Sequence, residues 1–276
     1  MSTLYISDLD GTLLNENARL SEFTTSTLNA LISDGLLFSV ASARSIISAG
    51  GILDNAGLKL PGIFMNGALL CEPDSGLTID YATINSDVSQ KMVDDFNMFD
   101  RPPTVFTFNG DYIHDKYLSK ICVRSGGLKH KADKDFYENR KNKYSSYEIT
   151  DNFSFNNVIY MNGMDDYNTM KKICDRISQY NEIRCELYLD VYTQLWLLEC
   201  HSAAATKANR ALELKQKIGA DKLVVFGDNY NDIEMMDCAD QAIAVSNAAD
   251  EVKEHADIII DSNINDGVAK YLLSIF

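Results

Sequence analysis

Short, uninterrupted runs of apolar residues constrain the fold of this chain more than any other feature of its sequence. Such runs occupy residues 3–7, 36–41 and 62–65, and each is too short to form a typical helix. Between the first two lies a helical pattern that Ser21 caps and that ends near Gly35. Apolar strands that alternate with helices are typical of a parallel sheet covered on both faces. The sequence therefore predicts a doubly wound α/β core.

The middle of the chain has a different composition. From residue 82 to 191, Tyr, Phe, Asn and Lys are more frequent, and helices are predicted near 86–98 and 165–179. This segment reads as an α+β domain inserted into the core. The α/β alternation then resumes, with strands predicted at 195–199, 223–226, 241–245 and 258–260 and helices at 206–218 and 231–236. The predicted domains are therefore a core, residues 1–81 and 192–276, and an inserted domain, residues 82–191.

The acidic balance of the chain limits the kinds of partner that it can bind. The formal net charge is −15, whereas a nucleic-acid partner requires a basic surface. An anionic small molecule can still bind such a chain, but only where positive charge is concentrated locally. We therefore expect a cation site, well-placed Lys or Arg side chains, and helix N-termini that are directed at one point.

Composition also gives expectations about the compartment. No apolar run approaches the roughly 20 residues that span a bilayer, and the N-terminal residues do not resemble a secretory signal. The six cysteines include no C-x-x-C pair, which favours a reducing compartment and argues against a zinc site. We expect a cytoplasmic protein without a membrane partner. Its oligomeric state stays open, and a monomer or a weak dimer is compatible with the sequence.

Polar residues follow several predicted strands at the point where each strand ends. In a parallel sheet these ends meet at one edge, where ligands bind. The segments are Asp8-Leu9-Asp10-Gly11-Thr12, Ser42-Ala43-Arg44, Asn66-Gly67-Ala68 and Gly227-Asp228-Asn229-Tyr230-Asn231-Asp232. In addition, Lys207 lies in the first turn of the helix that follows the strand predicted at 195–199.

This set of residues suits the hydrolysis of a phosphate ester. A carboxylate attacks phosphorus only when the repulsion between two anions is removed, and Mg²⁺, which prefers oxygen ligands, removes it. Asp8 can serve as nucleophile and metal ligand, Asp228 can supply a second carboxylate, and Asp10 can exchange protons with the leaving group and water. Ser42 can donate to a phosphoryl oxygen, and Lys207 can offset its negative charge.

Together these segments resemble the motifs of the haloacid dehalogenase (HAD) superfamily, and more narrowly those of the Cof-type sugar-phosphate phosphatases. The resemblance implies a Rossmann-like HAD core, an inserted C2B-type cap that selects the substrate, and Mg²⁺ as cofactor. It also implies that a phosphoryl group passes through Asp8 to water. The implied roles are Asp8 as nucleophile; Asp10 as acid and base; Asp8, the backbone carbonyl of Asp10, and Asp228 as metal ligands; Leu9, Ser42, Ala43, Lys207 and Asn231 as phosphate ligands; and Asp232 as support for the metal site.

Two candidate substrate-binding residues have a second interpretation, and three positions depart from the HAD pattern. Arg44 either contacts the substrate or pairs with a carboxylate, and Asn66 either contacts the substrate or belongs to an Asn-Gly turn. Ala43, Ala204 and Ala208 stand where HAD relatives often have glycine. Because alanine suits a right-handed helix, we expect the helix after the inserted domain to form. The effect of these alanines on specificity stays open.

The expected function is hydrolysis of a small phosphorylated metabolite, with sugar phosphates favoured. One alternative is a sugar phosphomutase of the same superfamily, which would return the phosphoryl group to a sugar. Another is a non-catalytic phospho-receiver or ligand-sensing module, which would also place acidic residues and a Lys at strand ends. The large inserted domain and Asp10 argue against the second alternative. Neither the metabolite nor the residues of the inserted domain that select it follow from the sequence.

Overall fold

The computed structural model describes residues 2–73, 75–107, 120–123, 146–149, 155–190 and 193–276. The chain divides into two compact units. We call Met1–Asp80 with Ala205–Phe276 the core unit and Tyr81–Ala204 the inserted unit. None of the described helices is both long and apolar enough to pass through a membrane.

The described strands and helices are numbered in chain order. The strands are β1 (Thr3–Ser7), β2 (Leu37–Val40), β3 (Gly62–Phe64), β4 (Leu69–Cys71), β5 (Thr78–Tyr81), β6 (Thr104–Thr107), β7 (Lys120–Val123), β8 (Ser146–Ile149), β9 (Val158–Asp165), β10 (Ile183–Leu189), β11 (Trp196–Ser202), β12 (Lys222–Gly227), β13 (Gln241–Val245) and β14 (Ile258–Ile260). The helices are α1 (Glu22–Ser33), α2 (Ile46–Leu53), α3 (Ser86–Met98), α4 (Tyr167–Ile177), α5 (Lys207–Ile218), α6 (Ile233–Asp237), α7 (Asp250–Lys253) and α8 (Gly267–Ile275).

The core unit is built on a parallel sheet with the strand order β14-β13-β12-β1-β2. Ser7, the last residue of β1, pairs with Phe226 of β12 and with Val40 of β2. These three strands therefore end at the same edge. A parallel bridge between Ala41 and Ile63 brings the end of β3 beside the end of β2. β3, β4 and β5 form a second, smaller sheet in that order.

Two helices of the core unit begin and end at the capping residues that the sequence predicts. Ser21 caps α1 by accepting a hydrogen bond from the backbone N–H of Thr24 (2.9 Å), and Gly35, with φ +108°, follows its end. Thr206 caps α5 in the same way, and Gly219 ends it in the left-handed conformation. α1 packs against α8, and α5 packs against α6. α5 and α6 also pack against β12 of the parallel sheet, which confirms the predicted α/β core.

The inserted unit contains a sheet of its own with the strand order β10-β11-β9-β6-β7-β8. Leu198 and Cys200 of β11 pack in one buried cluster with Met92 and Phe96 of α3, and α4 contributes Ile173. Because side chains alternate between the two faces of a strand, Glu199 and His201 point to the opposite face. Both are buried there. The unit therefore has an apolar face covered by helices and a polar face.

The boundary after the inserted domain lies later in the chain than predicted. The prediction ended that domain at residue 191 and assigned the strand at 195–199 to the core. In the structure this strand is β11, which pairs antiparallel with β9 and β10, and the core unit resumes at Ala205. The apolar run of β11 would suit a buried strand in either sheet, so the sequence pattern alone does not indicate which sheet it joins. Its hydrogen bonds to β9 and β10 place it in the inserted unit. The first boundary, between Asp80 and Tyr81, differs from the predicted one by one residue.

Candidate active site

β1 and β12 bring two aspartates to the same edge of the core sheet. Asp8 follows the last residue of β1, and its backbone N–H donates to the carbonyl of Phe226 in β12 (3.0 Å). Asp228 follows the last residue of β12 directly. Asp8 is buried and Asp228 half-buried. The parallel pairing of two apolar strands thus places a pair of carboxylates close together and largely away from water.

The loop after Asp8 fits closely around the side chain of Asp228. Gly11 has φ +83°, and a Cβ atom there would lie 2.2 Å from Oδ2 of Asp228. Only glycine satisfies both conditions. The hydroxyl of Thr12 donates to Oδ1 of Asp228 (2.7 Å), and Nδ2 of Asn247 donates to the carbonyl of Gly11 (2.8 Å). The segment from Asp8 to Thr12 therefore orients a carboxylate that comes from a distant part of the sequence.

Asp232 connects the segment after β12 to the rest of the site. Its Oδ2 accepts hydrogen bonds from the backbone N–H groups of Asp228 and Asn229, both at 3.1 Å. Its Oδ1 accepts from Nζ of Lys207 (2.8 Å). The side chain is fully buried. Since both oxygens are engaged by donors of the chain, Asp232 stabilises the loop that presents Asp228.

Lys207 is the first residue of α5 and reaches two carboxylates. Its Nζ donates to Oδ1 of Asp8 (2.7 Å) as well as to Asp232, and only 2% of the residue is exposed. The start of α5 is held by a close approach of the chain at Gly67. A Cβ there would lie 2.6 Å from the carbonyl carbon and oxygen of Thr206, and Gly67 has φ +106°. The Asn-Gly turn after β3 therefore helps to position Lys207.

The buried charges of this site do not balance one another. Asp8, Asp228 and Asp232 offer oxygen atoms that all lie within 4.8 Å of one another, and the Lys207 ammonium donates to Asp8 and Asp232. Burial raises the pKa of Asp8, as do Asp232 and Asp228, while Lys207 opposes the rise. Burial and Asp232 likewise raise the pKa of Asp228 to about 7. An acidic site with excess negative charge fits a divalent cation with oxygen ligands.

The predicted phosphate ligands lie in the loops around this cluster. The Ser42 backbone N–H donates to the carbonyl of Ile63 (2.9 Å), and the Ser42 side chain is buried. Asn66 is buried in the left-handed conformation, and its Oδ1 accepts from Nδ2 of Asn231 (3.3 Å). Ala43 is half-buried next to Ser42, and Leu9 is fully buried beside Asp8. The structure therefore brings Asn66 and Asn231 together.

Asp10 has different surroundings from the other aspartates. Its side chain is 47% exposed, and its two oxygens accept hydrogen bonds from Nε and Nη2 of Arg44 at 2.5 and 2.6 Å. Of the two interpretations of Arg44, pairing with a carboxylate is the one that the structure contains. Asp10 and Arg44 thus form a second, more exposed group of charges beside the buried cluster.

Comparison with known proteins identifies the family of this chain. The sequence profile of the haloacid dehalogenase-like hydrolases matches residues 5–272. The chain belongs to this family. Its relatives include two proteins of Bacillus subtilis (strain 168) that are named 5-amino-6-(5-phospho-D-ribitylamino)uracil phosphatase. YitU is 26% identical over 98% of this chain and 96% of its own length, and YcsE is 23% identical over 95% and 91%.

Solved structures of other proteins have the same fold. TM0651 from Thermotoga maritima superposes with a TM-score of 0.76 at 22% identity, covering 100% of this chain and 98% of that one. A haloacid dehalogenase-like hydrolase from Bacteroides thetaiotaomicron gives 0.76 at 21% identity, covering 100% of both chains. With relatives named as phosphatases along nearly its whole length, the chain is a HAD phosphatase, a phosphoric monoester hydrolase.

Ala204 and Ala208, two of the alanines that depart from the HAD pattern, do not prevent the helix at Lys207 from forming. Ala208 lies buried in the first turn of α5, and Ala204 is exposed two residues before Thr206, the N-cap of this helix. The helix at Lys207 forms as predicted.

Three residues of the HAD site were not assigned a role from the sequence. Thr12 binds Asp228, Asn247 binds the loop at Gly11, and Nε of the buried Arg210 donates to the carbonyl of Gly67 (3.0 Å). Thr12 could have been found, because it belongs to the segment Asp8-Leu9-Asp10-Gly11-Thr12, which resembles a HAD motif. Asn247 belongs to the segment Ser246-Asn247-Ala248, which is similar to a HAD loop, but an asparagine in a loop is not by itself a sign of an active-site residue. Nothing in the sequence distinguishes Arg210 from a solvated helical arginine.

Proposed function

We propose that this enzyme is an Mg²⁺-dependent phosphatase that hydrolyses small phosphomonoesters, with sugar phosphates as the favoured class, through an aspartyl-phosphate on Asp8. The observation that carries the proposal is the cluster of Asp8, Asp228 and Asp232, in which the ammonium of Lys207 bonds both Asp8 and Asp232. A nucleophilic carboxylate, a fixed cation and an excess of negative charge are what phosphoryl transfer to an aspartate requires.

Asp8, Asp228 and the backbone carbonyl of Asp10 are the proposed ligands of Mg²⁺. Asp232 supports them, since it holds Lys207 and the backbone N–H of Asp228. When bound, Mg²⁺ neutralises the repulsion between the carboxylate and the phosphate. The proposed phosphate ligands are Leu9 through its backbone, Ser42, Ala43, Lys207 and Asn231.

The proposed reaction has two steps. In the first, an oxygen of Asp8 forms a bond to phosphorus, the bond between phosphorus and the ester oxygen breaks, and Asp10 gives a proton to the departing oxygen. In the second, water bonds to phosphorus, its proton passes to Asp10, and the bond between phosphorus and Asp8 breaks. Phosphate and alcohol leave, and both aspartates return to their starting state. Lys207 offsets negative charge in both steps.

The substrate class is inferred from the relatives and from the chemistry of the chain. YitU and YcsE are named for a substrate with a phosphate on a sugar-like ribityl chain. We propose that the inserted unit selects a small phosphorylated metabolite of comparable size. With a net charge of −15, neither nucleic acid nor a membrane surface is a proposed partner. A panel of hexose phosphates, 5-amino-6-(5-phospho-D-ribitylamino)uracil, nucleotides and cofactor phosphates, ranked by kcat/KM, would identify the preferred ester.

The decisive experiment compares Asp8→Asn with wild type in the hydrolysis of p-nitrophenyl phosphate, with Mg²⁺ and with EDTA. We expect Asp8→Asn to lose at least about 10³-fold in kcat, because an amide is not a nucleophile. Borohydride reduction during turnover should convert Asp8 to homoserine, detectable by mass spectrometry. Asp237→Asn is the matched control, since Asp237 is an exposed aspartate of the core unit that pairs with His255. Equal rates for wild type and Asp8→Asn, or full activity in EDTA, would defeat the proposal.

A further inference from the structure

Arg44 and Asp10 form a two-pronged ion pair whose geometry suggests a specific task. Nε and Nη2 of the guanidinium donate to the two different oxygens of the carboxylate, at 2.5 and 2.6 Å. A paired contact of this kind fixes orientation as well as distance, because two parallel hydrogen bonds allow only one relative placement of the two planar groups. The carboxylate of Asp10 is therefore held in one orientation although its side chain is 47% exposed.

The backbone of Arg44 is itself fixed on both sides. Its N–H donates to Oγ of Ser42 (3.1 Å), and its carbonyl accepts from the backbone N–H of Met65 (3.0 Å). The guanidinium thus extends from a loop that is tied to the ends of β2 and β3. An exposed ion pair between two mobile side chains contributes little, but here one partner starts from a held position. The loop after β2 can therefore transmit its position to Asp10.

The same contact limits a direct role of Arg44 in binding phosphate. The edge of a guanidinium formed by Nε and Nη2 is one that would hold two phosphate oxygens in a forked contact. In this structure that edge is occupied by Asp10. The pairing therefore favours a role of Arg44 through Asp10 over a forked contact with the substrate.

We propose that Arg44 is a positioning residue that acts through Asp10, holding its carboxylate in the orientation from which it exchanges a proton with the leaving group. This inference rests on the proposed function, because it assumes that Asp10 protonates the departing oxygen. It assigns Arg44 to the proton-transfer part of the reaction and not to the binding of the phosphoryl group. The two roles differ in how the loss of Arg44 depends on the leaving group.

Two aryl esters of similar shape distinguish these roles. p-Nitrophenolate leaves as a stable anion and needs little protonation, whereas phenolate is a poorer leaving group and gains more from a proton donor. Because general acid catalysis contributes about 10²- to 10⁴-fold, we expect Arg44→Ala to lower kcat/KM for phenyl phosphate about 10- to 100-fold. The expected loss for p-nitrophenyl phosphate is about threefold or less, with little change in KM.

A double-mutant cycle then tests whether Arg44 acts through Asp10. In an Asp10→Asn background, Arg44→Ala should have little further effect on phenyl phosphate, since the group that it positions is already inactive. Arg44→Lys retains the charge but not the fork, and it should lose less than Arg44→Ala while showing the same dependence on the leaving group. If Arg44→Ala does not fold, the comparison of the two esters in Arg44→Lys decides the question.

Lys215→Ala is the matched control for the loss of a surface ion pair. Lys215 bonds Asp240 at 2.7 Å, and the side chains are 24% and 43% exposed, against 23% and 47% for Arg44 and Asp10. We expect it to leave kcat/KM for both esters unchanged. Equal losses of Arg44→Ala on both esters together with a raised KM, or losses that multiply with Asp10→Asn, overturn the proposal while the proposed function stands. If Asp8→Asn is as active as wild type, the proposed function fails and this inference fails with it.

Discussion

Asp228 in the core unit and Glu199 in the inserted unit are two carboxylates with similar electrostatic properties and different surroundings. Burial raises the pKa of each to about 7, and a neighbouring carboxylate adds to the rise, Asp232 in one case and Glu186 in the other. Asp228 lies at the end of a strand, where oxygen atoms of three aspartates gather within 4.8 Å. Glu199 lies within β11, opposite Glu186 of β10.

The difference between the two regions shows why a raised pKa alone does not identify a functional group. Glu199 accepts a hydrogen bond from the hydroxyl of Tyr188 (2.8 Å), and the polar side chains around it are spread along neighbouring strands. Asp228 faces further carboxylates and the charge of Lys207 from separate segments of the chain. Groups that converge from several strand ends can bind one ion together, whereas groups spread over a sheet face satisfy one another in pairs.

The largest effect that tests this comparison is expected from Lys207→Met. The variant removes the ammonium shared by Asp8 and Asp232 and leaves two buried carboxylates without it. Loss of one partner of a buried pair costs about 3–5 kcal/mol, so the free energy of unfolding without metal should fall by that order. Activity should fall about 10²- to 10³-fold. Urea unfolding with and without Mg²⁺ measures the first effect, and Mg²⁺ should restore part of the loss.

Lys215→Ala removes a partly exposed lysine of the same helix and should change the free energy of unfolding by about 1 kcal/mol or less. If Lys207→Met lowered the free energy of unfolding by as little, Asp8 and Asp232 would not need the ammonium of Lys207 in the folded protein. The contrast with the inserted unit would then disappear.

A smaller effect is expected from Gly11→Ala. The new Cβ would lie 2.2 Å from Oδ2 of Asp228 and the backbone has φ +83°, so the loop or the carboxylate must move. Because displacement of about 1 Å in an active site costs about 10²-fold, we expect kcat/KM to fall by that order. Gly219→Ala is the matched control, since Gly219 has φ +71° but open space around the added atom. Gly219→Ala introduces backbone strain at a positive φ without a steric clash, and it should leave kcat/KM unchanged. Equal activities of the two variants would show that Asp228 tolerates displacement.

The smallest effect is a difference in how pH acts on stability. The raised pKa values of Asp228 and Glu199 mean that the folded protein keeps protons that the unfolded chain has released. Their contribution to stability is therefore present below about pH 4 and is lost as pH rises through about 7. Mg²⁺ should remove the part that comes from Asp228 and from Asp8, whose pKa is also raised, because it favours the ionised carboxylates. Urea unfolding at a series of pH values, with and without Mg²⁺, measures both parts.

Glu199→Gln separates the two regions in that experiment. It should flatten the pH dependence that remains in Mg²⁺, while activity changes little. Asp228→Asn should instead weaken the part that responds to Mg²⁺, leaving the share of Asp8. If Mg²⁺ removes the whole dependence in wild type, Glu199 is ionised without cost, and the similarity drawn between the two carboxylates is wrong.

The sequence by itself determined the parallel core, the insertion and the strand ends that carry the acidic motifs. It could do so because short apolar runs and capping residues act locally, and because parallel strands necessarily bring their carboxyl ends to one edge. Only the tertiary structure decided that β11 joins the inserted unit, that Asp232 holds Lys207, and that Arg44 pairs with Asp10. These outcomes depend on which distant groups come within hydrogen-bonding distance, and no local pattern encodes that choice.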